Sequence, residues 1–354
     1  MSSASSLEVE DLRTEFVLRD RVLRVVDDVS FTVEPGQALA IVGESGSGKS
    51  VAMRSVMRLL PKTGRVAGGQ ARLGGTDLLG LSERQMRKVR GRDIGMVFQN
   101  AMEALNPTLT LERQLTEHLL WHGICDRAEA KRRAVETLGD VGIPEPEKRI
   151  RTYPFQLSGG MRQRAMIAMA MVTQPSVLIA DEPTTAVDVT VQRQLLDLLA
   201  RLKARGTGVI MITHDLGVAR YFCDDAIVMY AGRVVEHSPI RPLLAHPAHP
   251  YTSGLFSSTL EVGARQRALR PIPGSPPDLA HRPPGCAFHP RCDRAEERCG
   301  QEDQPLLPWS GNGSDLVPGT VAETGRPTDE RTDDRADERT GRREVACWKA
   351  VQHG

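Results

Sequence analysis

The eight residues from Gly43 to Ser50, Gly-Glu-Ser-Gly-Ser-Gly-Lys-Ser, constrain this chain more than any other stretch. They follow a short apolar run, Ala38–Val42, and precede a helical pattern from Val51 to Leu60. In the pattern G-x-x-x-x-G-K-[ST] the glycines let backbone N–H groups curl around phosphates. The lysine neutralises the β and γ groups and the hydroxyl coordinates Mg²⁺. The helix N-terminus behind them adds positive potential. Gly43, Glu44, Ser45, Gly46, Ser47, Gly48, Lys49 and Ser50 are therefore candidate phosphate-binding residues.

Around this loop, from Leu7 to about Ser238, short apolar runs alternate with longer helical stretches, which predicts an α/β layer structure with parallel strands. Ala38–Val42, Ile94–Phe98, Val177–Ala180 and Val209–Ile212 read as buried strands. Val189–Arg205 reads as a core-packing helix stopped by Gly206, and Ala226–Glu236 as a hairpin around Ala231-Gly232 that closes the unit. Beyond Ser238 proline recurs and periodicity fades, as in a separate, loop-rich extension. Residues 328–343 repeat every four (TDER, TDDR, ADER, TGRR) with nothing apolar to bury, so 310–343 is expected to be disordered.

Three further segments complete a nucleotide site. Val177–Glu182 ends a strand in two carboxylates: Asp181 can hold Mg²⁺ and Glu182 can polarise an attacking water. A third strand ends at His214, on the same carboxyl edge. Leu157–Gln163 places Ser158, Gly159 and Gly160 at the opening of a helix from Met161 to Val172, a second anion site in one chain. Two anion sites on one domain suggest paired domains, each completing the other's site.

Composition excludes several classes. With 46 Lys and Arg against 45 Asp and Glu, the net charge of +1 gives no bulk attraction to nucleic acid or anionic lipid. The longest apolar runs fall far short of the ~20 residues of a membrane-spanning helix. Met1–Asp11 carries Ser and acidic residues where a signal peptide needs basic and apolar ones, so a cytosolic setting is expected.

Taken together, the order of these motifs resembles the ATP-binding cassette (ABC) ATPases, the motor subunits of transporters. The resemblance implies a RecA-like nucleotide-binding core with an antiparallel β subdomain and a helical signature subdomain at about 100–165, within a domain of 1–238. A C-terminal extension of 239–354 follows. It implies catalytic roles for Glu182, His214 and Gln99, with Gln99 reaching Mg²⁺ alongside Ser50 and Asp181, Ser158 to Gly160 contacting the partner's ATP, and Asp188 crossing the dimer interface. An aromatic near the first strands, Phe16, or else Leu23 or Val22, would stack on adenine.

Gln99–Pro107, Pro183–Thr185, His249–Thr252, Pro273–Leu279 and Gly285–Cys299 narrow the resemblance to the ATP-binding subunits of dipeptide and oligopeptide permeases. Nickel importers are close relatives. Asn100-Ala101, Val187 and Phe155 depart from that pattern without removing a catalytic group. The partners implied are a second cassette, two transmembrane permease subunits and an extracytoplasmic solute-binding protein, with the chain peripheral on the cytoplasmic face of the membrane. A non-transport ABC ATPase is the rival from another class, but the chain has one phosphate loop and no coiled-coil insertion.

Six cysteines remain. Cys286, Cys292, Cys299 and Cys347 could hold tetrahedral zinc or a cubane iron–sulfur cluster, and their gaps exceed the usual spacing of zinc pairs. The resemblance to the dipeptide permeases implies a 4Fe–4S cluster. Cys125 and Cys223 are expected to be packed thiols in helical segments.

Overall fold

The structure is a computed structural model that describes residues 5–99, 104–184, 189–258, 271–309, 343–347 and 350. Asn100, Ala101, Val187, Asp188 and the charged repeat before Arg343 lie outside the described residues.

Two sheets form the frame. Strands β1 (Leu7–Val17), β2 (Val22–Val33), β4 (Gly64–Leu73) and β5 (Thr76–Asp77) make an antiparallel sheet in the order β2-β1-β4-β5. The second runs β11 (Leu307–Pro308), β12 (Glu344–Val345), β10 (Arg233–Pro239), β9 (Asp225–Tyr230), β3 (Ala38–Val42), β8 (Gly208–Ile212), β7 (Val177–Asp181), β6 (Ile94–Val97) among the described residues. Its centre is parallel: β6 (Ile94–Val97), β7 (Val177–Asp181), β8 (Gly208–Ile212), β3 (Ala38–Val42) and β9 (Asp225–Tyr230).

Every residue of β3, β7, β8 and β9 is buried, as expected of strands covered on both faces. Side chains alternate between faces along a strand, so each strand feeds two cores. Leu39, Ile41, Ile179, Ile210, Ile212 and Ile227 pack with the antiparallel sheet and with helix α1 (Lys49–Val56). Ala40, Val42, Ala180, Val209, Met211 and Val228 pack with the helices on the other side. Truncating one such fully buried Ile to Ala should cost ~2–5 kcal/mol.

The remaining helices through α8 are α2 (Glu83–Val89), α3 (Leu111–Trp121), α4 (Arg127–Asp140), α5 (Pro146–Arg149), α6 (Gly159–Met171), α7 (Val189–Ala204) and α8 (Leu216–Phe222). Leu111, Leu115 and Leu119 of α3 recur at i+4 and meet Ala130, Ala134 and Leu138 of α4 in the second core. Caps set the helix starts. Thr110, Asp126 and Ser158 each accept a backbone N–H at the third following residue. Helix α6 therefore begins at Gly159 rather than Met161. Helix α1 ends before Leu60 because Arg58 takes a left-handed φ of 52°.

The β9–β10 hairpin turns through Ala231 and Gly232, both at positive φ, as a tight two-residue turn requires. It does not close the sheet. Strand β12 (Glu344–Val345) pairs with β10 (Arg233–Pro239), and β11 (Leu307–Pro308) pairs with β12. Two bonding pairs per strand are too short to leave a periodic trace in sequence. Helices α9 (Ile240–Ala245) and α10 (Pro250–Ser257) lie between, and Tyr251 and Phe288 join the core that contains Tyr230. Asp27 of β2 receives Arg233 and Arg282 at 2.7 and 2.6 Å. Burial opposes its ionisation, yet those two guanidinium groups outweigh it and hold its carboxyl below the usual range.

His249, wholly buried, caps α10 by accepting the Tyr251 N–H on Nδ1. Burial pushes its pKa down to about 3. A folded-state pKa depressed below the ordinary ~6.5 contributes stability above that value, lost as pH falls toward the folded one. Unfolding free energy is thus expected to decline between about pH 6.5 and 3, and His249→Asn, which keeps an acceptor, to flatten that decline in denaturant titrations across this range.

Candidate nucleotide site

The parallel register decides where chemistry collects. Val97 pairs with Ala180, Ala180 with Met211, and Ile41 with Ile212, so the residues following β6, β7, β8 and β3 emerge on one edge. That edge carries Gln99, Asp181-Glu182, His214 and the phosphate loop. Crevices outside the carboxyl ends of parallel strands are where α/β sheets bind ligands.

In the loop, Gly43 has φ 153° and a Cβ there would lie 2.3 Å from the Met229 carbonyl oxygen. Gly48 has φ 100° and would place a Cβ 2.7 Å from the Val25 carbonyl. Only glycine fits both. Gly48 is also the N-cap of α1, with no side-chain cap and no acidic residue in the first turn. The helix end thus keeps its amides and its positive potential for an anion. Lys49 is buried, its Nζ donating to the Gly43 and Glu44 carbonyls at 2.7 and 2.8 Å and to Ser47 Oγ at 3.3 Å. Burial lowers its pKa, while Glu182, Asp181 and Glu44 act in the opposite direction. Ser45 and Gly46 form the loop's tip, and no heavy atom lies within 4 Å of a Cβ built on Gly46.

Asp181 is 1% exposed. Its Oδ1 accepts from Ser50 Oγ at 2.8 Å, while among the described residues its Oδ2 has no hydrogen-bond partner. Burial raises its pKa, with Ser50, Arg54 and Lys49 opposing. A buried carboxylate oxygen without a donor, beside a hydroxyl and the phosphate loop, fits a divalent cation. Next along the chain, Glu182 takes φ 48°, a left-handed conformation costing on the order of 1–3 kcal/mol and found at functional sites. Its Oε2 accepts from Gln99 Nε2 at 2.8 Å and its Oε1 lies 3.5 Å from His214 Nδ1. Three residues far apart in sequence meet on one carboxylate.

Ser158 caps α6 through the Met161 N–H at 3.3 Å, and a Cβ built on Gly159 or Gly160 would meet nothing within 4 Å. Among the described residues the bonds of Ser158 stay within its own helix. No hydrogen bond among the described residues joins Ser158, Gly159 or Gly160 to the chain's own phosphate loop.

Comparison with known proteins is consistent with this edge. Residues 26–185 match the ABC transporter family, and residues 235–299 match the oligopeptide/dipeptide transporter C-terminal region. A peptide import ATP-binding protein of Brucella abortus (strain 2308) is 48% identical over 319 residues, covering 86% of this chain and 94% of the relative. A peptide ABC transporter ATP-binding protein of Sinorhizobium fredii is 48% identical over 91% of this chain and 95% of its own. The chain belongs to the ABC transporter ATP-binding subunits of the oligopeptide/dipeptide family. It binds ATP with Mg²⁺ and hydrolyses it. Among solved structures, the dimeric post-hydrolysis state of the cassette MJ0796 bound to ADP and Pi matches with a TM-score of 0.60 at 28% identity, over 66% of this chain and 99% of that one.

The cysteines of this ABC subunit do not bear out the metal expectation. None of the six is in a disulfide, and among the described residues no group of three or more His, Cys, Asp or Glu side chains is arranged to hold a metal ion. Cys286, Cys292 and Cys299 are neighbours: burial, and then the other two, push the Cys286 thiol up to about 11. Cys347 packs instead with Ala248, Trp309 and Val345, carried there by β12. A 4Fe–4S cluster at Cys286, Cys292, Cys299 and Cys347 is thus unsupported. Cys125 falls in the turn before the Asp126 cap, and Cys223 caps the end of α8, so neither lies within a helix.

Sequence reasoning missed the residues that hold the loop from behind. Tyr251 accepts the Glu44 N–H on its hydroxyl at 2.8 Å, and Arg291 forks onto the Glu44 carboxylate. Tyr251 and the stretch around Arg291 stood out in the sequence only as parts of segments resembling the dipeptide and oligopeptide permeases, because nothing local links residue 291 to residue 44.

Proposed function

We propose that this subunit is the ATP-hydrolysing motor of an importer for dipeptides and oligopeptides. Residues 1–238 are its nucleotide-binding domain and 239–354 its extension, and the chain works as one half of a cassette pair, identical or related. Lys49, the amides from Gly46 to Ser50 and the end of α1 hold the triphosphate. Ser50 and Asp181, together with Gln99, would hold Mg²⁺, which would supply charge neutralisation for the triphosphate. Glu182 orients and deprotonates the attacking water, and His214 bonds the γ-phosphate. The convergence of Gln99 and His214 on Glu182 carries this reading. Ser158 and its glycines, at the N-terminus of α6, serve the partner's nucleotide, and Asp188 crosses the dimer interface. Loss of the γ-phosphate then releases the bridging contacts and lets the pair open.

Two membrane-spanning permease subunits dock on the helical side, and an extracytoplasmic binding protein delivers cargo. A cavity of about 380 Å³ lined by Gln114, His118, Trp121, His122 and Met169 supports this docking, and Trp121 is 59% exposed at its rim. Attachment at the cytoplasmic face runs through the permease subunits. Among the described residues no helix is long and apolar enough to cross a membrane.

The test is the full chain assembled with its permease subunits in lipid vesicles holding the binding protein. ATP hydrolysis should rise severalfold with short peptides. Stimulation by nickel and not by peptide would overturn the cargo assignment. Co-purification with ribosomes or DNA in place of membrane subunits would overturn transport itself.

A further inference from the structure

The extension reaches the phosphate loop through one side chain. Arg291 is only 6% exposed, and its Nη1 and Nη2 donate to Glu44 Oε2 and Oε1 at 2.8 and 3.1 Å. The guanidinium is fixed in place by the extension itself: Nε donates to the Pro273 carbonyl at 2.8 Å and Nη2 to the Gly274 carbonyl at 3.5 Å. Tyr230 accepts from Nη1 at 3.3 Å, and the guanidinium carbon lies 5.9 Å from the ring centres of both Tyr230 and Phe288. The Glu44 hydrogen bond, more than burial opposes it, keeps Arg291 charged. A planar fork locked this way cannot swing to another acceptor.

Glu44 is the residue between this anchor and the catalytic lysine. Its carbonyl accepts from Lys49 Nζ, its amide is held by Tyr251, and its carboxylate charge is felt at Lys49. An acidic side chain in a loop that must admit a triphosphate has two costs. It repels the incoming phosphates, and it competes with them for the Lys49 ammonium. A bidentate guanidinium offsets both by neutralising the carboxylate and holding it in place.

We propose that Arg291 is a positioning residue for nucleotide binding, acting from the C-terminal extension by neutralising and holding Glu44 so that Lys49 and the loop amides are left to the phosphates of ATP. The extension thereby sets the affinity of the cassette for its nucleotide. This rests on the phosphate-loop reading of Gly43 to Ser50, which the wild-type chain tests separately: absence of Mg-ATP binding there refutes that reading and not this one.

The experiment uses the full-length chain, measuring KM and kcat for Mg-ATP with thermal melting as a check on folding. Arg291→Gln should raise KM roughly tenfold while kcat at saturating ATP stays within about threefold. Adding Glu44→Gln to that variant should return KM to within about threefold of wild type, because the charge that Arg291 neutralised is gone. The KM defect of Arg291→Gln should also shrink at high salt. A merely structural role predicts that the double variant is no better than the single one, with kcat and melting temperature falling together. That outcome, or an unchanged KM in folded Arg291→Gln, overturns the proposal. Should Arg291→Gln fail to fold, Arg291→Lys decides: a retained charge should keep KM within about threefold, and a tenfold rise overturns the neutralising role.

Discussion

Replacing Glu182 with glutamine should reduce steady-state ATP turnover by roughly 10²- to 10⁴-fold, the range expected for loss of a general base, and leave ATP binding intact. The amide keeps the volume and can still accept from Gln99 Nε2, whose 2.8 Å bond holds the side chain in place. What it loses is the basic oxygen that takes a proton from water. Because the variant binds ATP without consuming it, the cassette pair should accumulate in its closed state, visible as an ATP-dependent increase in apparent mass by size-exclusion chromatography. Turnover within threefold of wild type would remove Glu182 from the mechanism. The left-handed φ of 48° is shared by both side chains, so backbone strain does not confuse the comparison.

The second large effect concerns Asp181. Asp181→Asn keeps an oxygen to accept from Ser50 and nearly the same volume, but it removes the charge and places a donor or a neutral oxygen where the unpartnered Oδ2 now stands. Turnover should fall by roughly 10²-fold or more, the scale expected when a preorganised charge contact to a transferring phosphoryl group is lost. The diagnostic is the metal: ATP affinity in EDTA should match wild type, whereas the strengthening on adding Mg²⁺ should largely disappear. An intact Mg²⁺ response with lowered turnover would assign Asp181 to another task. The neutral side chain also relieves a buried charge whose pKa burial raises, so the variant should melt no lower than wild type.

Both predictions concern residues that were readable before any coordinates. The loop from Gly43 to Ser50 and the acidic end of β7 follow rules of local chain geometry, where a strand, a turn and a helix N-terminus must succeed one another within a dozen residues. The strand limits were also local, since continuous apolar runs such as Val209–Ile212 leave little choice of ends. Helix limits moved where single residues decided them, as Arg58 did for α1 and Ser158 for α6. The region after Ser238 was least legible. Its order comes from two-residue strands, a buried His249 and ion pairs to Asp27 and Glu44, none of which has a period. The cysteine spacing pointed toward a metal cluster, yet spacing cannot say which thiols the fold carries together, and β12 seats Cys347 against Trp309.

What the sequence by itself determined is the inventory of the candidate nucleotide site: a phosphate loop, an aspartate and a glutamate ending one strand, and a helix opening on Ser158 and two glycines, each written within a few consecutive residues. Only the tertiary structure decided how that inventory is held. The parallel register of β6, β7 and β8 sets Gln99 and His214 on Glu182, and a side chain 247 positions away in sequence neutralises Glu44. The physical reason is range. Backbone conformation and caps are fixed by neighbours along the chain, whereas charge pairing depends on distance in space, which no local pattern records.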